Sequence, residues 1–250
     1  MIIIKKYGVW FILVILVTLE VWLQVSLWQI DARKSDIYYL YQDSYRLLNG
    51  ENPYMRVLKS DMQTNDKYTT IFPAFIELSS LTQRYFFNNF GRWLAFWRWI
   101  FLICNLGVMI LLYREFIAYH EPYLAFLFTA FWAFNRWTLY ISKTSGFDFI
   151  PILLLLISLL LHPRRRWLGM VFYSLSLAFK QIGIFLLPLY LIDAYHSTEK
   201  NHPSQVFICG FVIASVPVQT VPRPPSSWRT RRSGGGECHG ILVSLCDPPN

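Results

Sequence analysis

Long apolar runs separated by short polar connections make up most of this chain. The first run, residues 8–30, follows Lys5 and Lys6. In a helix that rises ~1.5 Å per residue, a run of this length can cross the hydrocarbon core of a bilayer. Further strong runs follow at residues 93–113, 123–141, 147–161 and 167–192, with a shorter one at 206–218. The pattern predicts an all-α integral membrane protein, built as a multi-span helical bundle.

The first apolar run has the features of an uncleaved membrane anchor. No small-residue cleavage site follows it, and the two lysines before it predict a cytoplasmic N-terminus. Glu20 lies within this run, where a carboxyl group facing lipid would be strongly unfavourable. We therefore expect Glu20 to face the interior of the bundle and to form hydrogen bonds with another helix.

A weaker apolar segment, residues 71–87, determines the predicted topology. Polar residues interrupt it, which is typical of an interfacial amphipathic helix rather than a membrane span. If this segment lies flat at the outer surface, Arg114 and the arginines at 164–166 all fall on the cytoplasmic side. Residues 31–92 then form one large extracytoplasmic loop with interfacial helices, and the TSGFDF segment at 144–149 returns to the outer face.

These assignments divide the chain into four regions. We expect an N-terminal transmembrane anchor at residues 1–30, the extracytoplasmic loop at 31–92 and a transmembrane bundle at 93–218. Residues 219–250 are rich in Pro, Gly, Ser and Arg and lack apolar periodicity. The apolar run that precedes them is too short to cross a bilayer. We expect this region to be a disordered or out-of-frame tail of a truncated chain.

Composition agrees with a membrane protein and argues against other classes. The chain of 250 residues is 54% hydrophobic and only 15% charged, whereas soluble domains carry about 25% charged residues. Its net charge of +8 comes largely from basic clusters beside apolar runs, which membrane topology explains, so nucleic acid is not an expected partner. The four cysteines form no CxxC pair and the five histidines are scattered, so no metal site is predicted.

The polar stretch SDIYYLYQDSYRLLNGENPY, residues 35–54, follows the first apolar run. Its spacing predicts a helix over residues 35–49, with Ser35 as N-cap and Gly50 as the C-terminal stop. One face of this helix is polar and carries Asp36, Tyr39, Asp43 and Arg46. The opposite face is apolar and suits a membrane surface; it carries Ile37, Leu40, Tyr41, Leu47 and Leu48. An amphipathic surface helix without chemistry would show the same pattern.

The last long run, residues 167–192, contains Lys180 near its middle, with Gly183 and Pro188 soon after. A lysine at mid-bilayer is unfavourable by several kcal/mol. One interpretation is a pair of short half-helices with Lys180 at the apex of a water-filled cavity. The other is a single tilted helix whose lysine snorkels to the interface.

The motif D-I-Y-Y at residues 36–39, followed by L-L-x-G-x-N-P-Y at residues 47–54, resembles the first extracytoplasmic loop of polytopic glycosyltransferases with the GT-C fold. The resemblance is greatest to glycosyltransferase family 87, the polyprenyl-phosphate-mannose-dependent mannosyltransferases and their relatives. The segment KYTTIFPAF at 67–75 is similar to a tyrosine- and proline-rich segment of that family. The arginines at 164–166, Lys180 and Pro188 resemble its basic turn and the run that follows. The chain departs from the family in having Gly146-Phe147 where relatives often have Gly-Gln.

The resemblance implies an inverting transfer of a mannose-like hexose from a polyprenyl-phosphate donor to an extracytoplasmic glycan or glycolipid acceptor, in a multi-pass protein of the cell membrane. By its motif position, Asp36 would be the catalytic base, and Lys180 would contact the leaving phosphate. Tyr39, Asp31 and Tyr54 would contribute to substrate binding, and Asp31 is also the rival candidate for the base. No cofactor is expected, because the leaving group is a single phosphate.

Two other interpretations remain open at the level of sequence. A polytopic transporter would also contain buried charges and broken helices. However, the chain has a large aromatic outer loop and no obvious internal inverted repeat. The third interpretation is an inactive fragment of such a glycosyltransferase.

Overall fold

The computed structural model describes residues 2–28, 33, 35–54, 73–87, 89–119 and 122–197. Throughout these residues the regular structure is helical, without a strand. The α-helices are α1 (Ile2–Leu27), α2 (Asp36–Leu48), α3 (Pro73–Tyr85), α4 (Phe90–Tyr119), α5 (Pro122–Phe134), α6 (Arg136–Thr144), α7 (Phe149–Leu161), α8 (Arg166–Phe179) and α9 (Leu187–Ser197), with a 3₁₀ helix (Gln181–Leu186) between α8 and α9. The predicted apolar run at 206–218 and the tail at 219–250 lie outside the described residues.

Within the described part of the chain, two helices are long and apolar enough to cross a membrane. They are α1, over Trp10–Leu27 with a mean hydropathy of 2.1, and α4, over Phe90–Ala118 with a mean hydropathy of 1.9. The apolar helices α5 and α7 are shorter, at 13 residues each. The all-α prediction is confirmed, and the first two strong apolar runs form the two longest helices.

The structure corrects one predicted run. Residues 123–141 form two helices instead of one, because the chain breaks at Asn135. The Asn135 side chain accepts hydrogen bonds from the backbone N–H groups of Trp137 and Thr138, at 2.9 and 3.0 Å. This is the bonding of an N-cap residue, which begins α6 and satisfies its first free donors.

Helices α1 and α4 pack antiparallel along their lengths. Leu13 lies in the same cluster as Tyr113 near one end, and Glu20 contacts Asn105 further along. The last turn of α1 meets the first part of α4, where Arg98 donates a 2.6 Å hydrogen bond to the carbonyl oxygen of Trp28. The C-terminal end of α1 and the N-terminal end of α4 therefore lie at the same end of the bundle.

Helix α2 has the predicted bounds and an identifiable stop. Ser35 is the N-cap residue, although its side chain makes no capping hydrogen bond. At the other end the N–H of Gly50 donates to the carbonyl of Leu47, and the N–H of Glu51 donates to that of Arg46, both at 3.0 Å. These two bonds form a Schellman motif, which requires the left-handed conformation of Gly50 (φ 80°).

The apolar face of α2 packs against protein, which corrects the expectation that it rests on a membrane surface. Ile37, Leu40 and Leu47 are buried in a cluster with residues of α3 and α4. A 2.7 Å hydrogen bond from Ser44 Oγ to Ser79 Oγ joins α2 to α3. The aromatic side chains that cover this face from the other helices include Phe75, Trp93 and Trp97.

Within the predicted segment 71–87, Pro73–Tyr85 form a short amphipathic helix. Helix α3 has 13 residues, so it spans ~20 Å, less than the ~30 Å of a hydrocarbon core. Phe75 and Ile76 are buried beneath it, whereas Leu78, Leu81, Tyr85 and Phe86 form its exposed apolar side. Length and amphipathicity both agree with an interfacial helix.

The run 167–192 is discontinuous, as one of the two interpretations predicted. Helix α8 ends at Phe179, and Lys180 has an extended backbone (φ −156°, ψ 143°) before the 3₁₀ helix begins at Gln181. Gly183 lies in this 3₁₀ helix, after the break. Its carbonyl accepts a 2.9 Å hydrogen bond from the hydroxyl of Tyr173 on α8. The prediction of a single tilted helix is therefore wrong.

Candidate functional site

A cavity of about 270 Å³ lies where three separate segments meet. They are the first turn of α2, the end of α6 with the loop that follows it, and the break between α8 and the 3₁₀ helix. The residues that line the cavity are Ser35, Asp36, Ile37, Leu40, Tyr140, Ile141, Thr144, Ser145, Gly146, Phe147, Asp148, Lys180 and Gln181. Its volume is close to the lower end of the ~300–1,000 Å³ found for small-molecule sites.

Asp36 reaches the cavity because of its position on α2. It is the first residue of that helix, directly after the N-cap, and it is exposed. The buried side chains of Ile37 and Leu40 fix the orientation of the first turn against the core. The predicted catalytic base therefore sits on a well-anchored element and lines the cavity.

Lys180 lines the same cavity, at the break between α8 and the 3₁₀ helix. Its ammonium contacts Oδ1 of Asp148, and it also lies 5.4 Å from the centre of the Phe147 ring. The side chains of Lys180 and Asp148 remain 34% and 20% exposed. The ion pair is thus partly open to the cavity rather than sealed in the core.

The loop between α6 and α7 forms the third wall and is tied to the bundle. Ser145 adopts the left-handed conformation (φ 56°, ψ 41°), which is uncommon for a residue other than glycine. Nε of Arg98 donates a 2.9 Å hydrogen bond to its hydroxyl group. Two residues further on, the Phe147 ring stacks on Phe75 at 4.7 Å. These contacts hold the loop, and with it Asp148, against α3 and α4.

The predicted site residues divide into three groups. Asp36 and Lys180 line one cavity. Tyr39 and Tyr54 are not among the residues that line it: Tyr39 packs near the ring of Tyr38, and Tyr54 is half-buried beyond the end of α2. Asp31 lies outside the described residues.

Tyr54 nevertheless has a distinctive environment. Burial raises its pKa, and the charges of Asp43 and Glu77 raise it further, in that order. Its phenol therefore stays protonated at physiological pH and can act as a hydrogen-bond donor. The nearby Asp43 is itself buried and paired with Arg46 of the same helix, at 3.0 Å.

The sequence interpretation did not single out Asp148. Its segment, TSGFDF, was placed at the outer face, but the aspartate was not distinguished from its neighbours. The available signal was a lone acidic residue at the start of a strongly apolar helix, α7. Its partner Lys180 is far away in the chain, so only the tertiary structure reveals the pair.

The chemical content of the cavity is a carboxylate, a carboxylate–ammonium pair, several hydroxyl groups and an amide. The carboxylate of Asp36 can accept a proton, and the ammonium of Lys180 can bind an anionic group. No group of three or more His, Cys, Asp or Glu side chains with metal-binding geometry occurs in the described residues. No family model, curated protein or solved structure matches this chain.

Proposed function

We propose that this protein is a membrane glycosyltransferase that transfers a mannose-like hexose, with inversion, from a polyprenyl-phosphate donor to an extracytoplasmic glycan or glycolipid acceptor. The observation that carries the proposal is the cavity shared by Asp36 and Lys180. The family resemblance implies a base at Asp36 and a phosphate contact at Lys180, in separate parts of the sequence, and both residues line this one cavity.

Asp36 and Lys180 have separate roles in the reaction. The acceptor hydroxyl oxygen forms a bond to the anomeric carbon, and its proton passes to the carboxylate of Asp36. The bond between the anomeric carbon and the phosphate oxygen breaks, and its electron pair stays on the phosphate. The leaving polyprenyl phosphate therefore gains negative charge, which the ammonium of Lys180 stabilises.

The proposal places the protein in the cell membrane as a multi-pass protein. Helices α1 and α4 are long and apolar enough to cross, and many large apolar side chains are exposed on the outside of the bundle. The first turn of α2 and the loop at 144–149 meet at one cavity, as expected if both segments lie on the same face of the membrane. A lipid-linked donor would reach this cavity from the bilayer, with its sugar and phosphate at the interface.

The test is transfer of labelled sugar from a polyprenyl-phosphate donor in membranes that contain the full chain. Replacing Asp36 by asparagine keeps the size of the side chain but removes the proton acceptor. Loss of a general base typically lowers a rate by ~10²–10⁴-fold. We expect Asp36→Asn to lower transfer by this factor at unchanged protein level.

The controls separate the base from its neighbours. Glu51→Gln removes an exposed acid beyond the C-terminal end of α2 and should leave transfer unchanged. Asp43 is unsuitable as a control, because it is buried and paired with Arg46. If Asp31→Asn abolishes transfer while Asp36→Asn does not, the base is Asp31. If no variant affects transfer, α2 is a structural helix.

A transporter remains the second candidate, because the helix break at Lys180 is also a feature of transporter binding sites. The two functions differ in their products. A transporter would move a labelled anionic solute into sealed vesicles without forming a new glycosidic bond, and its rate would depend on Lys180 rather than on Asp36.

A further inference from the structure

Asp148 stands at the N-cap position of α7 but does not cap that helix. Its backbone is helical (φ −57°, ψ −26°), and its side chain makes no capping hydrogen bond. Instead, the carboxylate reaches across the cavity wall to the ammonium of Lys180. An acidic residue that could satisfy the free N–H groups of its own helix is thus used for a contact between two distant segments.

Lys180 is held by a second contact as well. Its ammonium lies 5.4 Å from the centre of the Phe147 ring, and this ring is itself stacked on Phe75. A lysine side chain otherwise has many accessible rotamers, and ordering it opposes binding. The contacts with Asp148 and with the Phe147 ring hold the ammonium in a defined place before any ligand arrives.

We propose that Asp148 is a positioning residue, which fixes the ammonium of Lys180 for a phosphate group in the cavity. An ammonium group has three hydrogen-bond donors. One is used by Asp148, and the others can bind phosphate oxygens. The inference deepens the proposed function, on which it rests for the identity of the ligand, a polyprenyl phosphate.

The pairing also separates the roles of the two carboxylates in the cavity. The carboxylate of Asp148 is in contact with the ammonium of Lys180. Asp36 lies on a different element, at the start of α2. Asp148 therefore acts through Lys180 and not on the acceptor.

The loop that carries Asp148 is closely packed around this carboxylate. A Cβ atom added at Gly146 would lie 3.2 Å from Oδ2 of Asp148 and 3.0 Å from Cγ2 of Ile141. The preceding Ser145 is bound to Arg98. A larger residue at position 146 would therefore crowd the carboxylate of Asp148.

The experiment measures phosphate binding separately from catalysis. Purified full-length protein in detergent is titrated with polyprenyl phosphate, and the rise in its melting temperature gives an apparent affinity. Neutral polyprenol controls for the prenyl chain, and phosphatidic acid controls for an ordinary phospholipid headgroup. The variants are Asp148→Asn, Asp148→Glu, Lys180→Gln and the exchanged pair Asp148→Lys/Lys180→Asp.

We expect Asp148→Asn to weaken polyprenyl-phosphate binding by about two- to tenfold. Without Asp148, binding would have to order the flexible side chain of Lys180, which costs free energy. Asp148→Glu should recover most of the affinity, and Lys180→Gln should abolish the phosphate-dependent shift. In the transfer assay Asp148→Asn should raise KM for the donor more than it lowers kcat. The exchanged pair should keep the wild-type melting temperature without ligand but lose phosphate binding, because the cation then lies at position 148, before α7.

A purely structural ion pair gives a different result. Asp148→Asn would then lower the melting temperature without ligand, and the exchanged pair would restore stability, binding and transfer together; this outcome overturns the inference. Equal affinity of wild type and Asp148→Asn also overturns it, as does an equal response to phosphatidic acid and polyprenyl phosphate. If binding depends on Asp148 but no sugar is transferred, the phosphate site stands and the proposed function fails. If sugar is transferred regardless of Asp148, the function stands and the inference fails.

Discussion

Glu20 of α1 accepts a 2.8 Å hydrogen bond from the side-chain amide of Asn105 on α4. The same carboxylate oxygen accepts a 2.7 Å bond from Gln24, and Asn105 in turn accepts a 2.9 Å bond from the indole of Trp132 on α5. Both Glu20 and Asn105 are fully buried. A polar chain thus crosses three helices of the bundle, as the position of Glu20 in an apolar run led us to expect.

This network predicts that Asn105→Ala will be strongly destabilising. The substitution removes one of the two hydrogen bonds to Glu20 and the partner of the Trp132 indole, and an unsatisfied buried polar group costs ~1–3 kcal/mol. The measurement is the melting temperature of the purified protein in detergent. Asn49→Ala, at an exposed position, is the matched control and should have a much smaller effect. Equal melting temperatures for the two variants would mean that the network contributes little to stability.

The second prediction concerns membrane topology. Asn89 precedes α4 and Tyr123 follows it, and both are exposed. If α4 crosses the membrane, single cysteines at these positions lie on opposite sides. In a chain whose four native cysteines are replaced by alanine, we expect an impermeant maleimide to label Asn89→Cys from outside and Tyr123→Cys only after permeabilisation. Labelling of both from the same side would exclude a single crossing by α4.

The third prediction concerns the turn between α7 and α8. A Cβ atom at Gly169 would lie 2.8 Å from Cα of His162, a backbone atom that cannot rotate away. Gly169→Ala should therefore destabilise the protein by ~1–3 kcal/mol. Gly107→Ala is the matched control, because its Cβ would meet only the flexible tip of Leu153, at 3.1 Å. Should both variants melt at the same temperature, the close approach at Gly169 does not constrain this turn.

The fourth prediction concerns pH. Burial raises the pKa of Glu77 on α3, so folding favours its protonated form. The stability that this shift contributes is fully present below the unfolded pKa of ~4.3 and is lost as the pH rises through the folded pKa. Glu77→Gln should therefore be more stable than wild type at pH 7.5, by up to about 1 kcal/mol because the side chain is partly exposed. The difference should disappear near pH 4.

Melting curves of both proteins across this pH range provide the measurement. Glu51→Gln makes the same change of charge at an exposed position and should follow the wild type. A stability difference for Glu77→Gln that grows as the pH falls would contradict the assignment, because it would mean that folding favours the ionised form.

Local structure could be predicted from the sequence because it depends on neighbouring residues. The bounds of α2 follow from Ser35, Gly50 and the apolar spacing between them, and a carboxyl group in an apolar run predicts the buried position of Glu20. The break at Lys180 was one of two open interpretations, since Gly183 and Pro188 weaken a helix without deciding where it ends. The break at Asn135 was missed, although an asparagine followed by a polar residue in an apolar run is a recognisable N-cap signal.

By itself, the sequence determined an all-helical architecture, the positions of its two longest apolar helices and the apolar face of α2. The predicted polar face of α2 was wrong at Asp43, which is buried. Only the tertiary structure decided what covers each face and which distant residues meet. The apolar side of α2 packs on Phe75 and Trp93 rather than on lipid, because α3 folds back and supplies an apolar partner. The meeting of Lys180 with Asp148 at one cavity depends on how α6, α7 and α8 pack, and a residue's own sequence neighbours carry no information about such a contact.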